Sequence, residues 1–186
     1  KWMLTLGARA HGLKVIDGWD RLSPFGGKTW DFSDPVDQKE ALRLIMYLDP
    51  VIVHCATPCD KLSNMSLHPS QEGYSEEEFE KSVSMVDFSL RVVKQREVSG
   101  GGGSIENPKP SKCWTLARVV EFFGTVENPK PGRYFAGPDL CAYDLRGPAA
   151  VRAFENSFYR KAIRLAATYP EIQQVSKTCP ADHEHT

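Results

Sequence analysis

Apolar positions along this chain fall either into stripes of helical period or into short continuous runs, and the alternation predicts its elements. Over residues 76–97, Phe79, Val83, Val86, Leu90 and Val93 recur at spacings of four and three, one face of an amphipathic helix. Ser75 and Glu78 form a capping-box signature at its start. Trp2, Leu6 and Ala10 share a face of a helix over 1–12, with Gly12 suited to its C-terminal cap. A helix over 36–48 turns Val36, Leu42, Ile45 and Leu48 inward. Ser111 caps another over 112–123, with Leu116, Val119, Val120 and Phe123 inward and Gly124 as its stop. Pro148 suits the first turn of a last helix running to Thr168. Residues 13–16 ("LKVI"), 50–55 ("PVIVHC") and part of "RYFAGPDLCAY" predict strands. The second run is apolar almost throughout, which fits the buried middle of a parallel sheet.

Helices alternating with short buried strands predict an α/β fold, a mostly parallel sheet flanked by helices. The 186 residues suffice for one good core, so 1–186 reads as a single compact domain. Within it "SGGGGS" at 99–104 reads as a flexible linker, and as an engineered one. The hexapeptide "IENPKP" at 105–110 recurs as "VENPKP" at 126–131, and two copies do not make a repeat architecture.

Composition narrows the function classes. No apolar run approaches the roughly 20 residues of a membrane span. The formal net charge is −1, so nucleic-acid binding would require a local basic patch. Five cysteines, an odd number in a chain of this length, fit a reducing compartment better than a disulfide scaffold. The expected location is therefore intracellular, nuclear or cytoplasmic, and not secreted.

The chemistry concentrates in "VHCATPCDKLS" (53–63). A cysteine on a turn at the end of a strand is open to three readings: nucleophile, metal ligand or buried thiol. As a thiolate, Cys59 would attack an electron-poor ring carbon. Attack on a cytosine needs a partner at the ring nitrogen as charge builds, and a carboxylic acid of raised pKa serves well. Glu106, in the rigid "ENP" turn, is the candidate. The competing readings are a solvated carboxylate at Glu106, a core aromatic at Trp19, and plain turn residues at Asp17 and Asp31.

"HCATPCDKLS" followed by "ENP" resembles the Pro-Cys and Glu-Asn motifs of the cytosine-C5 DNA methyltransferase family. "DGWD" (17–20) stands where the family has an acid-Trp-Asp triplet, and "TWDFSD" loosely matches its next motif. The resemblance covers about residues 1–115. It implies a Rossmann-like, methyltransferase-type sheet with Cys59 as nucleophile and Glu106 as the acid at cytosine N3. It further implies S-adenosylmethionine as cofactor, with Trp19 on its adenine, Asp31 near the adenine edge and Asp17 taking the ribose contact. The substrate would be nucleic acid, DNA ahead of RNA, with the base flipped out of any duplex. The family's opening strand and Gly-rich loop, its Gln-x-Arg-x-Arg motif and its long target-recognition region have no counterpart in these residues. The second half is similar to compact methyltransferase-like proteins of retroelements and large polyproteins, where a Cys-His-rich segment closes the domain.

That segment is here Cys179, His183 and His185, with Cys141 as a possible fourth ligand, and it makes 141–186 a candidate zinc-stapled segment. Two Cys and two His complete a tetrahedral structural site. Two functions therefore compete. One is a cytosine-C5 methyltransferase-like domain. The other is a non-catalytic module of that fold within a larger polypeptide, stapled by zinc and binding nucleic acid or other parts of the polyprotein.

Overall fold

The computed structural model describes residues 8–20, 26–59, 61–62, 75–143, 158 and 161–185, and the chain divides into two compact units, Lys1–Tyr47 and Leu48–Thr186. In the first unit a helix ends at Ala10. Gly12 closes it at φ +77°, with Gly12 N–H donating to Arg9 O (2.9 Å) and Leu13 N–H to Ala8 O (3.0 Å). These are the two bonds of a glycine-terminated helix end, as the sequence predicts; residues 1–7 of that helix lie outside the described residues. The strand expected at 13–16 does not form. Leu13 is 62% exposed, and an apolar run becomes a strand only where a neighbour takes up its backbone groups.

Helix α1 (Pro35–Leu48) matches its predicted span, but its inward face is rotated. Asp37, Gln38, Ala41 and Ile45 are buried, whereas Val36 is 68% exposed and Leu48 also faces out. Polar anchors decide the rotation. Asp37 accepts from the Asp31 N–H (2.8 Å) and pairs with Lys28 (2.7 Å), while Gln38 Nε2 donates to Phe32 O (2.7 Å). Burying these two polar side chains is tolerated because their hydrogen bonds are made.

The described residues of the second unit form four strands, β1 (Ile52–Ala56), β2 (Gly102–Pro108), β3 (Tyr134–Ala136) and β4 (Ile163–Ala167), in spatial order β1-β2-β4-β3. β1 and β2 are parallel, and helix α2 (Glu76–Val98) lies between them in the chain, as a parallel pair requires. β4 runs antiparallel to both β2 and β3, so three strands share one direction and β4 alone opposes them. The sheet is therefore mixed. Two expectations fail here. β1 is an edge strand among the described residues, with Ile52 50% exposed, rather than the buried middle. Ile163–Ala167, expected to end a helix, is instead the strand that fills the gap between β2 and β3. Pairing on both sides overrides local helical preference there. Residues 148–157, 159 and 160 of that expected helix lie outside the described residues.

Both sheet faces are packed. α2 keeps its predicted stripe, with Val83, Val86, Leu90 and Val93 against Ile105, Ala166 and Phe123, and the Ser75 hydroxyl accepts the Glu78 N–H at its start. The expected helix at 112–123 is broken at Leu116 into a short 3₁₀ turn (Lys112–Thr115) and helix α3 (Ala117–Phe123); Ser111 caps the first and Gly124 ends the second. On the opposite face, Leu165, Ala167 and Ala136 pack against Ile172 of a 3₁₀ turn, Pro170–Val175.

The reading of 99–104 as a flexible linker is overturned. Gly100 (φ +81°) and Gly101 close α2, with Gly100 N–H donating to Glu97 O (3.0 Å) and Gly101 N–H to Arg96 O (2.8 Å). Gly102 and Gly103 then enter β2, paired with Ile52 and Val53. A Cβ on Gly103 would come within 2.9 Å of the Val93 backbone, so the glycine permits strand and helix to approach closely. Gly103→Val is expected to destabilise the protein by about 1–3 kcal/mol, as overpacking of a filled core does. A urea midpoint unchanged from wild type would refute this account.

Candidate metal centre and the carboxyl rim of the parallel strands

The four sequence-predicted metal ligands come together. Cys141 lies in a 3₁₀ turn (Leu140–Tyr143) directly after β3, and Cys179, His183 and His185 follow the 3₁₀ turn at Pro170–Val175. Their ligand atoms all lie within 4.8 Å of one another. Cys179 Sγ is 3.5 Å from His183 Nε2 and 3.4 Å from His185 Nε2, and the two Nε2 atoms are 3.1 Å apart. The tail reaches Cys141 through local bonds. Asp139 N–H donates to Lys177 O (2.8 Å), and the Cys179 N–H donates to Asp139 Oδ2 (3.0 Å). The Tyr143 hydroxyl donates to Val175 O (2.9 Å). Ala181 adopts φ +58°, and its N–H points to Cys179 Sγ (3.4 Å) within the turn that brings His183 back to Cys179.

His183 Nδ1 sits 2.8 Å from Asp182 Oδ1, so the carboxylate fixes the ring with Nε2 as the free ligand atom. The His183 ring also lies against Phe158, tilted by 35° (4.0 Å between centroids). Burial is the main cause that pushes the Cys141 thiol up, followed by its contact with Cys179. An N₂S₂ donor set so arranged can hold a metal ion, whose charge would draw off the thiol protons. Asp139 and Asp182 went unnoticed in the sequence. Their adjacency to Cys141 and His183 is a signal only once those residues are known to converge.

The predicted Cys59 and Glu106 stand at one end of the parallel pair. Register places Glu106 beside Ala56, three residues before Cys59. The segment carrying Glu106 then grips the Cys59 loop on both sides. Asn107 Nδ2 donates to Thr57 O (3.1 Å), while Ser111 Oγ (3.1 Å) and the Lys112 N–H (2.7 Å) both donate to Leu62 O. Leu62 N–H in turn bonds Cys59 O (3.0 Å). The buried Thr57 Oγ1 and Asn107 Oδ1 lack partners in this same region. Cys59 is half-buried and belongs to neither core cluster, unlike Cys55 and Cys113, whose thiols burial pushes up to about 12.

Glu106 differs from the expected raised acid. His54 Nε2 lies 3.6 Å from its Oε2 and holds the carboxyl below the usual range, against the opposing effect of burial.

The three cofactor candidates lie in the first unit and are engaged locally. Asp17 pairs with Arg9 (2.8 Å). Asp31 Oδ1 accepts from the Ser33 N–H (3.0 Å) and hydroxyl (2.7 Å), a turn-stabilising role. Trp19 stacks on the buried Trp30 at 5.1 Å and 19°. Among the described residues of this unit, no buried polar side-chain atom is left without a partner. These contacts lend S-adenosylmethionine no support.

Compared with protein-family models, characterised proteins and solved structures, the chain matches none. Its chemistry must be read from the site alone.

The thiols give a direct check. In metal-loaded native protein, a disulfide reagent at pH 8 is expected to modify Cys59 rapidly and to spare Cys55 and Cys113. Cys179 should react only after a chelator is added. Rapid modification of Cys179 without chelator would remove the metal centre.

Proposed function

We propose that this chain is a zinc-stapled module of methyltransferase-like α/β fold, serving as a binding or scaffold unit within a larger polypeptide. One observation carries the reading, the triangle formed by Cys179, His183 and His185. Tetrahedral zinc, with Zn–S about 2.3 Å and Zn–N about 2.0–2.1 Å, needs S···N separations of about 3.5 Å and N···N of about 3.3 Å. The three contacts of 3.5, 3.4 and 3.1 Å match those edges. Two Cys and two His fill a four-coordinate shell and leave no position for substrate, so the zinc is structural. It would fasten the tail beyond Pro170–Val175 to the turn after β3. The common direction of β1, β2 and β3 supports a Rossmann-like ancestry for the sheet. No described helix is long and apolar enough to cross a membrane.

A second reading is favoured by a different observation, the grip of the 107–112 segment on the Cys59 loop. On that reading the rim is a cytosine-C5 methyl-transfer site on nucleic acid, with Cys59 as nucleophile at C6 and Glu106 at the ring nitrogen. S-adenosylmethionine would supply the methyl group. Cys59 would need to be a thiolate, and the half-buried loop would have to admit an extruded base.

Protein purified without chelator is expected to carry about one zinc per chain by elemental analysis, and Cys179→Ser to carry none. Less than half an equivalent in wild type would defeat the stapled-module reading. For the second reading, calorimetric titration with S-adenosylmethionine is decisive, since absence of heat at millimolar ligand rules out methyl transfer by this chain. Binding, together with a Cys59-dependent covalent adduct on a 5-fluorocytosine oligonucleotide, would establish it.

A further inference from the structure

The sheet face turned away from α2 carries a row of polar groups. The Tyr169 hydroxyl, just beyond β4, donates to Ser104 Oγ at 3.2 Å. Ser104 Oγ lies 3.0 Å from His54 Nδ1, and His54 Nε2 lies 3.6 Å from Glu106 Oε2. The backbone sets this row. His54 pairs with Ser104 and Ala56 with Glu106 across the parallel ladder, so Ser104 and Glu106 project from one face two residues apart. Ser104 is fully buried, and Tyr169 is seated where Gly102 has no side chain.

Ser104 Oγ has two lone pairs: one receives the Tyr169 O–H, and the other can accept the Nδ1–H of a protonated His54, whose second N–H, on Nε2, then faces Glu106.

We propose that His54 is a positioning residue for Glu106: the Tyr169–Ser104–His54 chain aims the imidazole at the carboxylate, and the pair shares the proton that a bound cytosine would require. The inference rests on the methyl-transfer reading for its chemical consequence. A carboxylate cannot donate to a ring nitrogen. The protonated imidazole passes its Nε2 proton to Glu106, and Glu106 passes one to N3 as the Cys59 sulfur bonds to C6. The π electrons of the C5–C6 bond move onto the ring as the sulfur adds. When the C6–S bond breaks, N3 returns its proton to the pair. The other groups that bear on Glu106 are Lys161, a positive charge preceding β4, and the apolar Leu165 directly opposite on β4. Of these, His54 is the one in near-contact with the carboxylate whose ring nitrogens can both hold and release a proton.

The test uses the zinc-loaded full chain. Carbon-13 NMR of labelled glutamate follows Glu106 through a pH titration in wild type, His54→Phe, His54→Gln and Tyr169→Phe. The Glu106 midpoint is expected to rise in His54→Phe, to be partly restored in His54→Gln, which retains an N–H donor, and to rise slightly in Tyr169→Phe. An unchanged midpoint in His54→Phe overturns the proposal. In parallel, exchange of the cytosine C5 hydrogen is followed in deuterated water, on a single-stranded oligodeoxynucleotide with one cytosine and no cofactor. It reports the thiol addition alone. Exchange by wild type that is at least tenfold slower in His54→Phe supports the proton-sharing role, in keeping with what general acids contribute. Equal exchange rates in the two proteins overturn that role. A shifted Glu106 midpoint with no exchange by wild type leaves the pair standing and defeats the methyl-transfer reading.

Discussion

The close approach of β2 to α2 is the constraint on which the second unit depends. Among the described strands β2 alone pairs with both β1 and β4, and at Gly103 it lies against the Val93 backbone with no room for a side chain. Helix and strand are joined without slack, since the two glycines that close α2 lead directly into the two that open β2. Above this contact, Ile105 enters the core with Val86, Val93 and Phe123. On the other face Ser104 and Glu106 are delivered beside His54. One residue of slippage along β2 would exchange these faces, burying the acid in hydrocarbon and turning Ile105 toward the polar row. The tight fit at Gly103 thus fixes the register on which both the core and the rim chemistry rely.

The buried Arg96 shows how the turn between α2 and β2 is held. Its Nη1 pairs with Asp49 at 2.6 Å, and its guanidinium occupies the space a side chain at Gly101 would need. Its Nε has no partner, so the desolvated cation is only partly compensated. Asp49 itself is mostly exposed and lies at φ 42°, an unusual backbone state for a residue other than glycine. A buried charge is thus spent on fixing the start of β1 relative to the end of α2.

The two candidate sites use opposite strategies. The metal centre gathers donors from two peripheral segments that contribute little to the main core, so its geometry depends on ligand attraction and a few backbone bonds. The rim draws its residues from two neighbouring parallel strands, and the sheet holds them in place with or without a ligand. This difference explains why Glu106 has a defined electrostatic partner in His54. At the metal-ligand cluster, in contrast, burial and the neighbouring Cys179 push the Cys141 thiol up.

How much was legible in the sequence follows from the range of the interactions concerned. The amphipathic period of α2, its Ser75 cap and the glycine ends at Gly12 and Gly124 were readable, because each is decided within a few residues. The set Cys141, Cys179, His183 and His185 could be named from residue type alone, but a frayed tail was as good a reading of the last three until the structure brought all four together. Long-range pairing was not readable. The face of α1 was decided by Lys28 and Asp31, and the strand character of Ile163–Ala167 by a gap between β2 and β3.

The repeated hexapeptide states the same division most plainly. In 105–110 the first four residues are strand, held by β1 and β4; in 126–131 nearly the same residues make a turn in which Thr125 and Asn128 bond each other and Gly124 bridges Pro129. By itself the sequence determined the local helices, their caps and the identities of the chemically able side chains, because those depend on neighbours along the chain. Only the tertiary structure decided which "ENPKP" became a strand, that four glycines were a helix end and a buried strand, and that His54 would meet Glu106. Those outcomes depend on which backbone has an unpaired partner waiting, and that partner lies tens of residues away.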